Sequence, residues 1–188
     1  MKALVVYESE FGATRALAEA VARGLQAAGQ TRTVDAEVVD SRAGLPGGWR
    51  DDLWLLVIGA PTHARSLPTP TTRQSALDWP HKPGSILRLE QAADASGVRE
   101  WLAGVDLTGV RTAVFATRME MSRMLSGSAG PALARRATKA GATLVDGPQD
   151  FLVQRDGRLV DHELDHAFEW GRVLAASMPV PSAAGRGC

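Results

Sequence analysis

A chain of 188 residues has room for one α/β domain with a sizeable core. Its 21 Lys and Arg balance 21 Asp and Glu, so nothing in the charge points to nucleic acid as a partner. No apolar run approaches the length of a membrane span, and the single cysteine, Cys188, excludes internal disulfides and cysteine-based metal or iron–sulfur sites.

The apolar run Lys2–Tyr7 reads as a strand buried on both faces, and is too short for a signal peptide. A cytoplasmic location is the corresponding expectation. Glu8–Ala13 interrupts the run. From Thr14 the period becomes helical, with Leu17, Ala20, Val21, Gly24 and Leu25 on one stripe and Gly29 as the stop. Strands are expected at Val34–Val39 and Leu53–Gly59, separated by a loop over Gly44–Asp52. Thr71–Asp78 reads as a helix, and residues 79–97 as an irregular excursion. A short helix follows at Val98–Val105 and a fourth strand at Arg111–Ala116. The next helix begins at Ser128 or Gly130 and runs to Lys139. Ala142–Val145 and Asp150–Gln154 form a broken fifth strand, with a turn at Arg155–Gly157. Asp161 caps a last helix to Ser177, in which Leu164, Phe168, Gly171 and Ala175 are expected to face the sheet. Residues 1–177 are thus one domain, and 178–188 a flexible tail.

Strands alternating with helices imply a doubly wound, mostly parallel sheet. Ligands in such folds sit at the carboxyl ends of the strands, where strand order reverses. That selects the loops after strands one, three and four.

The first loop, Glu8–Thr14, leads into a helix N-terminus, whose free N–H groups and positive dipole end suit a phosphate. Ser9 and Thr14 offer hydroxyls, and Gly12 lets the backbone close tightly. No lysine stands where a nucleoside triphosphate loop needs one. A dianionic monoester on neutral donors fits; a plain strand-to-helix turn capped by Thr14 is the alternative. In the second loop, Ala60–Ser66, Thr62 is placed to bond a polar ring edge. His63 is placed to cover a ring, or is an exposed loop histidine. In the third, Thr117–Met121, Arg118 is placed to stabilise negative charge on a ring, or is an exposed arginine. Met119, Met121 and Met124 pack on a ring or in the core.

With these loops in place the chain resembles the flavodoxin family, most of all the flavodoxin-domain proteins common in high-GC actinobacteria. The likeness lies in VVYESEFGATRALAEAVARGL, LLVIGAPTHARSLPTPTTR, REWLAGV, TAVFATRMEMSRMLSGSAGPALARRATKAGATLV and EWGRVLA. The resemblance implies a three-layer fold with a five-stranded parallel sheet in order 2-1-3-4-5, of which flavodoxin is the standard example. It implies FMN, with Ser9, Glu10, Phe11, Gly12, Ala13 and Thr14 around the phosphate. Pro61, Thr62, His63 and Ala64, and Thr117, Arg118 and Met119, would adjoin the ring. Familiar flavodoxins place Thr at the position of Phe11 and Asn at that of Ala13, so the grip here shifts toward backbone N–H groups. His63 and the Arg118–Met119 region stand where a Trp and a Tyr often sandwich the ring. Mobile carriers of the family are strongly acidic, whereas this chain is neutral.

His162-Glu163-Leu164-Asp165-His166 spells H-E-x-x-H, the pattern of zinc peptidases. It falls in the last helix of a complete α/β pattern, without an apparent distant third ligand, so no metal site is expected. Gly127–Gly130 reads as a helix-start loop. Trp79, in a Pro-flanked segment, could fold over a ligand. Three functions stay open: an FMN redox protein exchanging electrons with a partner protein, an FMN-dependent quinone or protoporphyrinogen-type oxidoreductase acting on a small quinone-like substrate, or a flavin-free module that binds another protein. Whether the chain is an enzyme stays open with them.

Overall fold

A computed structural model of the chain describes residues 1–27, 33–83, 85–90 and 96–177. The expected helix stop at Gly29, the tail 178–188 and parts of the 79–97 excursion lie outside the described residues.

Three continuously apolar segments become the middle of the sheet: β1 (Lys2–Tyr7), β3 (Leu53–Pro61) and β4 (Arg111–Met119). Side chains alternate between two faces along a strand, so one face receives Ala3, Val5, Leu55, Val57, Ala113 and Phe115. The other receives Leu4, Val6, Leu56, Ile58, Val114 and Ala116. Both faces are covered, which is why these strands show no polar alternation. β2 (Asp35–Asp40) lies at the outer edge and has no fully buried residue. All pairings are parallel, in the order β2-β1-β3-β4. The position beyond β4 is shared by β5 (Thr143–Leu144) and β6 (Gln149–Val153), both parallel to it. The order and the broken fifth strand agree with expectation.

Helices α1 (Ala13–Ala27) and α6 (Glu163–Ser177) cover the first face. They touch backbone to backbone: a Cβ on Gly24 would meet the Phe168 carbonyl oxygen at 2.0 Å, and one on Gly171 the Val21 carbonyl oxygen at 2.4 Å. Helices α3 (Val98–Gly104) and α5 (Gly130–Lys139) cover the second face. Helix α2 (Pro70–Ala76) starts on a reciprocal Thr69–Thr72 cap with Pro70 in its first turn. A 3-10 turn at Trp79–His81 and the short α4 (Arg123–Ser126) complete the elements.

Several boundaries differ from the sequence reading. β3 runs on through Pro61 and β4 through Met119, because pairing continues through Ala60↔Ala116 and Pro61↔Thr117, and then through Met119↔Val153 on β6. Helix α6 starts at Glu163, not directly after Asp161, since His162 takes φ +68°. With that start the buried stripe is Ala167, Trp170, Gly171, Leu174 and Ala175, and Leu164 faces solvent. Register aligns Tyr7 with Gly59 and Pro61 with Thr117, which brings the ends of β1, β3, β4 and β6 to one edge of the sheet.

Candidate functional site

At that edge the loop after β1 turns into α1. Gly12 takes φ +91°, and its N–H donates to Ser9 Oγ at 3.0 Å. The Thr14 hydroxyl faces that of Thr117 at 3.2 Å, tying the first loop to the end of β4. Among the described residues, the N–H groups of Phe11, Ala13, Thr14 and Arg15 have no acceptor. They lie at the positive end of a 15-residue helix, an arrangement made for an anion. The excursion crosses this loop: Glu90 donates its N–H to the Glu10 carbonyl at 2.8 Å, and its carboxylate pairs with Arg15 at 2.9 Å.

Beside the loop opens a cleft. Ser9, Glu10, Phe11, Ala13, Thr14, Pro61, Thr62, His63, Thr117, Arg118 and Met119 line it, together with Trp79, Leu87 and the segment Val153–Arg155 with Gly157. Trp79 stacks on Phe11 at 5.7 Å and 16°, and lies 5.5 Å from the His63 ring. Thr62 is already engaged, since its hydroxyl accepts the Ala129 N–H at the start of α5. Arg118 donates to Asp150 at 3.1 Å and to the Met121 carbonyl at 2.8 Å, so its charge is compensated within the protein.

Two glutamates lie beneath the loop. Glu8 is fully buried and accepts from Arg73 Nε at 2.6 Å and from the Val98 N–H at 2.8 Å. Arg73, itself buried, continues to Glu100 at 2.7 Å. Glu10 turns inward to the same depth, yet no donor of the protein reaches either of its carboxyl oxygens. His63 Nε2 stands 3.6 Å away, beyond hydrogen-bond reach, and Nδ1 of that ring is also unpartnered. Burial, next the charge of Glu8 and then the hydrogen bond that a protonated Glu10 gives the Glu8 carboxylate raise the Glu10 carboxyl well above the usual carboxylate range. Burial also lowers His63 below 6.5; Glu8 opposes this, Arg73 adds to it and the Thr72 backbone opposes it. The environment therefore favours the neutral form of both groups, and the negative charge that Glu10 would bring next to a phosphate is suppressed.

The Flavodoxin family model matches residues 5–170 of the chain. The chain belongs to the flavodoxin family. No curated protein matches it. Among solved structures it is similar to a flavodoxin from the domain Archaea, at 20% identity over 94% of this chain and 97% of that one, with a TM-score of 0.60. Flavodoxin 1 from Bacillus cereus is 18% identical over 91% and 95% of the two chains, with a TM-score of 0.58. A flavodoxin, WrbA-like protein from Agrobacterium tumefaciens is 19% identical over 93% and 95%, with a TM-score of 0.53.

Within this flavodoxin fold most of the residues singled out from the sequence come together at the cleft. Gly12 lies on the outer side of the loop, in a polar hollow with Arg15, Arg42 and Arg88. Ala64 is exposed at φ 45° and does not line the cleft. The reading of His63 as an exposed loop histidine is overturned by its 5% exposure, which follows from Trp79 lying against it. Arg118 is not an exposed arginine either, since Asp150 draws it in. Met124 is 80% exposed and packs in no core. The cleft also has a wall from Gln154 to Gly157 that the sequence reading passed over. The rule that ligands sit at strand carboxyl ends would have reached it had it been applied to the fifth strand.

The H-E-x-x-H residues straddle the start of α6. His162 precedes the helix and pairs with Asp165 at 3.6 Å, whereas His166 pairs with Glu163 at 3.2 Å. Among the described residues there is no group of three or more His, Cys, Asp or Glu able to hold a metal. None of the described helices is long and apolar enough to cross a membrane.

Proposed function

We propose that this chain binds FMN through the loop and cleft at the sheet edge and exchanges electrons with a partner protein. The observation that carries the reading is the row of unclaimed N–H groups at Phe11, Ala13, Thr14 and Arg15, which opens beside an aromatic-lined cleft. A phosphate monoester on these neutral donors needs neither Thr at position 11 nor Asn at position 13. The donor set thus fits the group that flavodoxins typically carry, and bound FMN would supply one- and two-electron chemistry.

The protein's own residues shape that chemistry. Phe11, Trp79 and His63 exclude water from the cleft. Arg118, held by Asp150, contributes less positive charge to the ring than a free guanidinium would. A formal net charge of +0 makes electrostatic steering weak, so docking must rest on apolar contact. Met124 and Leu125, just beyond the end of β4, are 80% and 64% exposed, and Met119 at the cleft is 37% exposed.

The test is a flavin titration of purified protein followed by visible absorbance and fluorescence quenching. FMN is expected to bind at micromolar protein and riboflavin, which lacks the phosphate, much more weakly. Equal affinities would remove the loop from the site, and no binding at millimolar FMN would overturn the proposal.

A further inference from the structure

We infer that His63 is the protein's redox-linked proton acceptor, taking one proton from solvent when the ring held in the cleft gains electrons. This rests on the FMN reading above. The starting point is an anomaly of hydrogen bonding. Buried polar atoms are almost always partnered, yet His63 Nδ1 has no partner and no donor reaches either Glu10 carboxyl oxygen, and both residues line the cleft.

The surroundings explain why His63 is poised to charge. Glu8 and Glu10 face it from the loop after β1, and Arg73 from α2. Arg42, beyond β2, and Arg73 face Glu10, and Glu100 on α3 is reached through Arg73. Arg73 and the Val98 N–H take up the Glu8 charge. Glu8 in turn disfavours a second negative charge on Glu10. The imidazole thus lacks the counter-charge that a carboxylate at 3.6 Å would ordinarily provide. Negative charge arriving in the cleft supplies it, and an opposite charge at close range favours the imidazolium. The step balances simply. Electrons pass from an external reductant to the ring, one proton passes from water to a His63 ring nitrogen, and no other bond in the protein changes.

The experiment measures the midpoint potential of the FMN-loaded protein against pH, by dithionite titration, for wild type, His63→Gln and Glu10→Gln. Between pH 6.5, the usual value for histidine, and the raised value of His63 in the reduced protein, the wild-type slope should exceed that of His63→Gln by one proton per two electrons. For a two-electron couple that is about 30 mV per pH unit, the equivalent of a tenfold change. Glu10→Gln should keep the wild-type slope, because an amide mimics a neutral acid. A direct readout on the wild type is the NMR titration of the His63 ring. It should titrate below 6.5 in the flavin-free protein and move upward when the loaded protein is reduced. Identical slopes in wild type and His63→Gln, or a His63 titration unmoved by reduction, would overturn the inference while leaving FMN binding intact. Failure to bind FMN would show separately, in the flavin titration, as the failure of the underlying reading.

Discussion

The floor beneath the loop and the wall of the cleft each hold a buried glutamate, two residues apart in the chain, and treat it in opposite ways. Glu8 is surrounded by donors from α2 and the start of α3 and serves as a fixed joint between them. Glu10 at the same depth has none, and its neighbours favour the protonated acid. The difference lies in geometry, since the sequence offers the same side chain twice. It shows that burial alone does not set the charge of a carboxyl group; the donors that reach it do.

The largest loss is expected where Glu8 is made to resemble Glu10. Arg73→Leu leaves Glu8 buried without its cation, and such removals cost about 3–5 kcal/mol. Urea unfolding should show a lowered midpoint with an unchanged slope. Adding Glu8→Gln to that variant should recover part of the loss. A loss no larger than that of an exposed arginine substitution would mean that Arg73 is not what holds Glu8.

Much of this arrangement could be read in advance. The three continuously apolar strands, the loops at their carboxyl ends and the interrupted fifth strand were all legible, because local pattern and composition determine them. The burial of Glu10 and His63 was not. Glutamate and histidine are usually exposed in loops, and the ring that lies against His63 and stacks on Phe11 is Trp79, brought from the excursion by tertiary contacts with no local periodicity. Trp79 stood out in the sequence only through its neighbouring proline. In α6 Gly171 and Ala175 are buried as the pattern predicts, whereas Leu164, in the first turn after the left-handed His162, is exposed.

A milder effect of Glu10 appears as the pH changes. The folded protein holds the Glu10 proton above the usual carboxylate value of 4.5, whereas the unfolded chain releases it there. The folded state then binds more protons, so stability falls as pH rises from 4.5 through the folded value of Glu10. One proton contributes at most about 1.4 kcal/mol per pH unit. Glu10→Gln removes this contribution, so its stability relative to wild type should climb across that window. Unfolding curves for the two proteins at a series of pH values check it; parallel curves would mean that Glu10 is ionised in the fold. His63 acts on the acid side. Its folded value is lowered, so stability declines as pH falls below 6.5, and His63→Gln should lessen that decline.

The smallest expected effect comes from the cover. Trp79→Ala removes the stack on Phe11, and an aromatic pair of this kind is worth about 0.5–1.5 kcal/mol beyond its buried area. Its more telling consequence is chemical. Without the indole, water reaches His63 and the carboxyl oxygens of Glu10 and supplies the hydrogen bonds that the protein withholds. Desolvation is the leading cause of both shifts, so both groups should return toward their ordinary values. The imidazole of the Trp79→Ala protein, followed by NMR in the absence of flavin, should titrate closer to 6.5 than in wild type. Glu8, whose partners come from Arg73 and Val98 and not from the cover, should keep its ion pair. If the His63 titration stays where it was, dryness is not what distinguishes the wall of the cleft from its floor, and the charge of Arg73 must be.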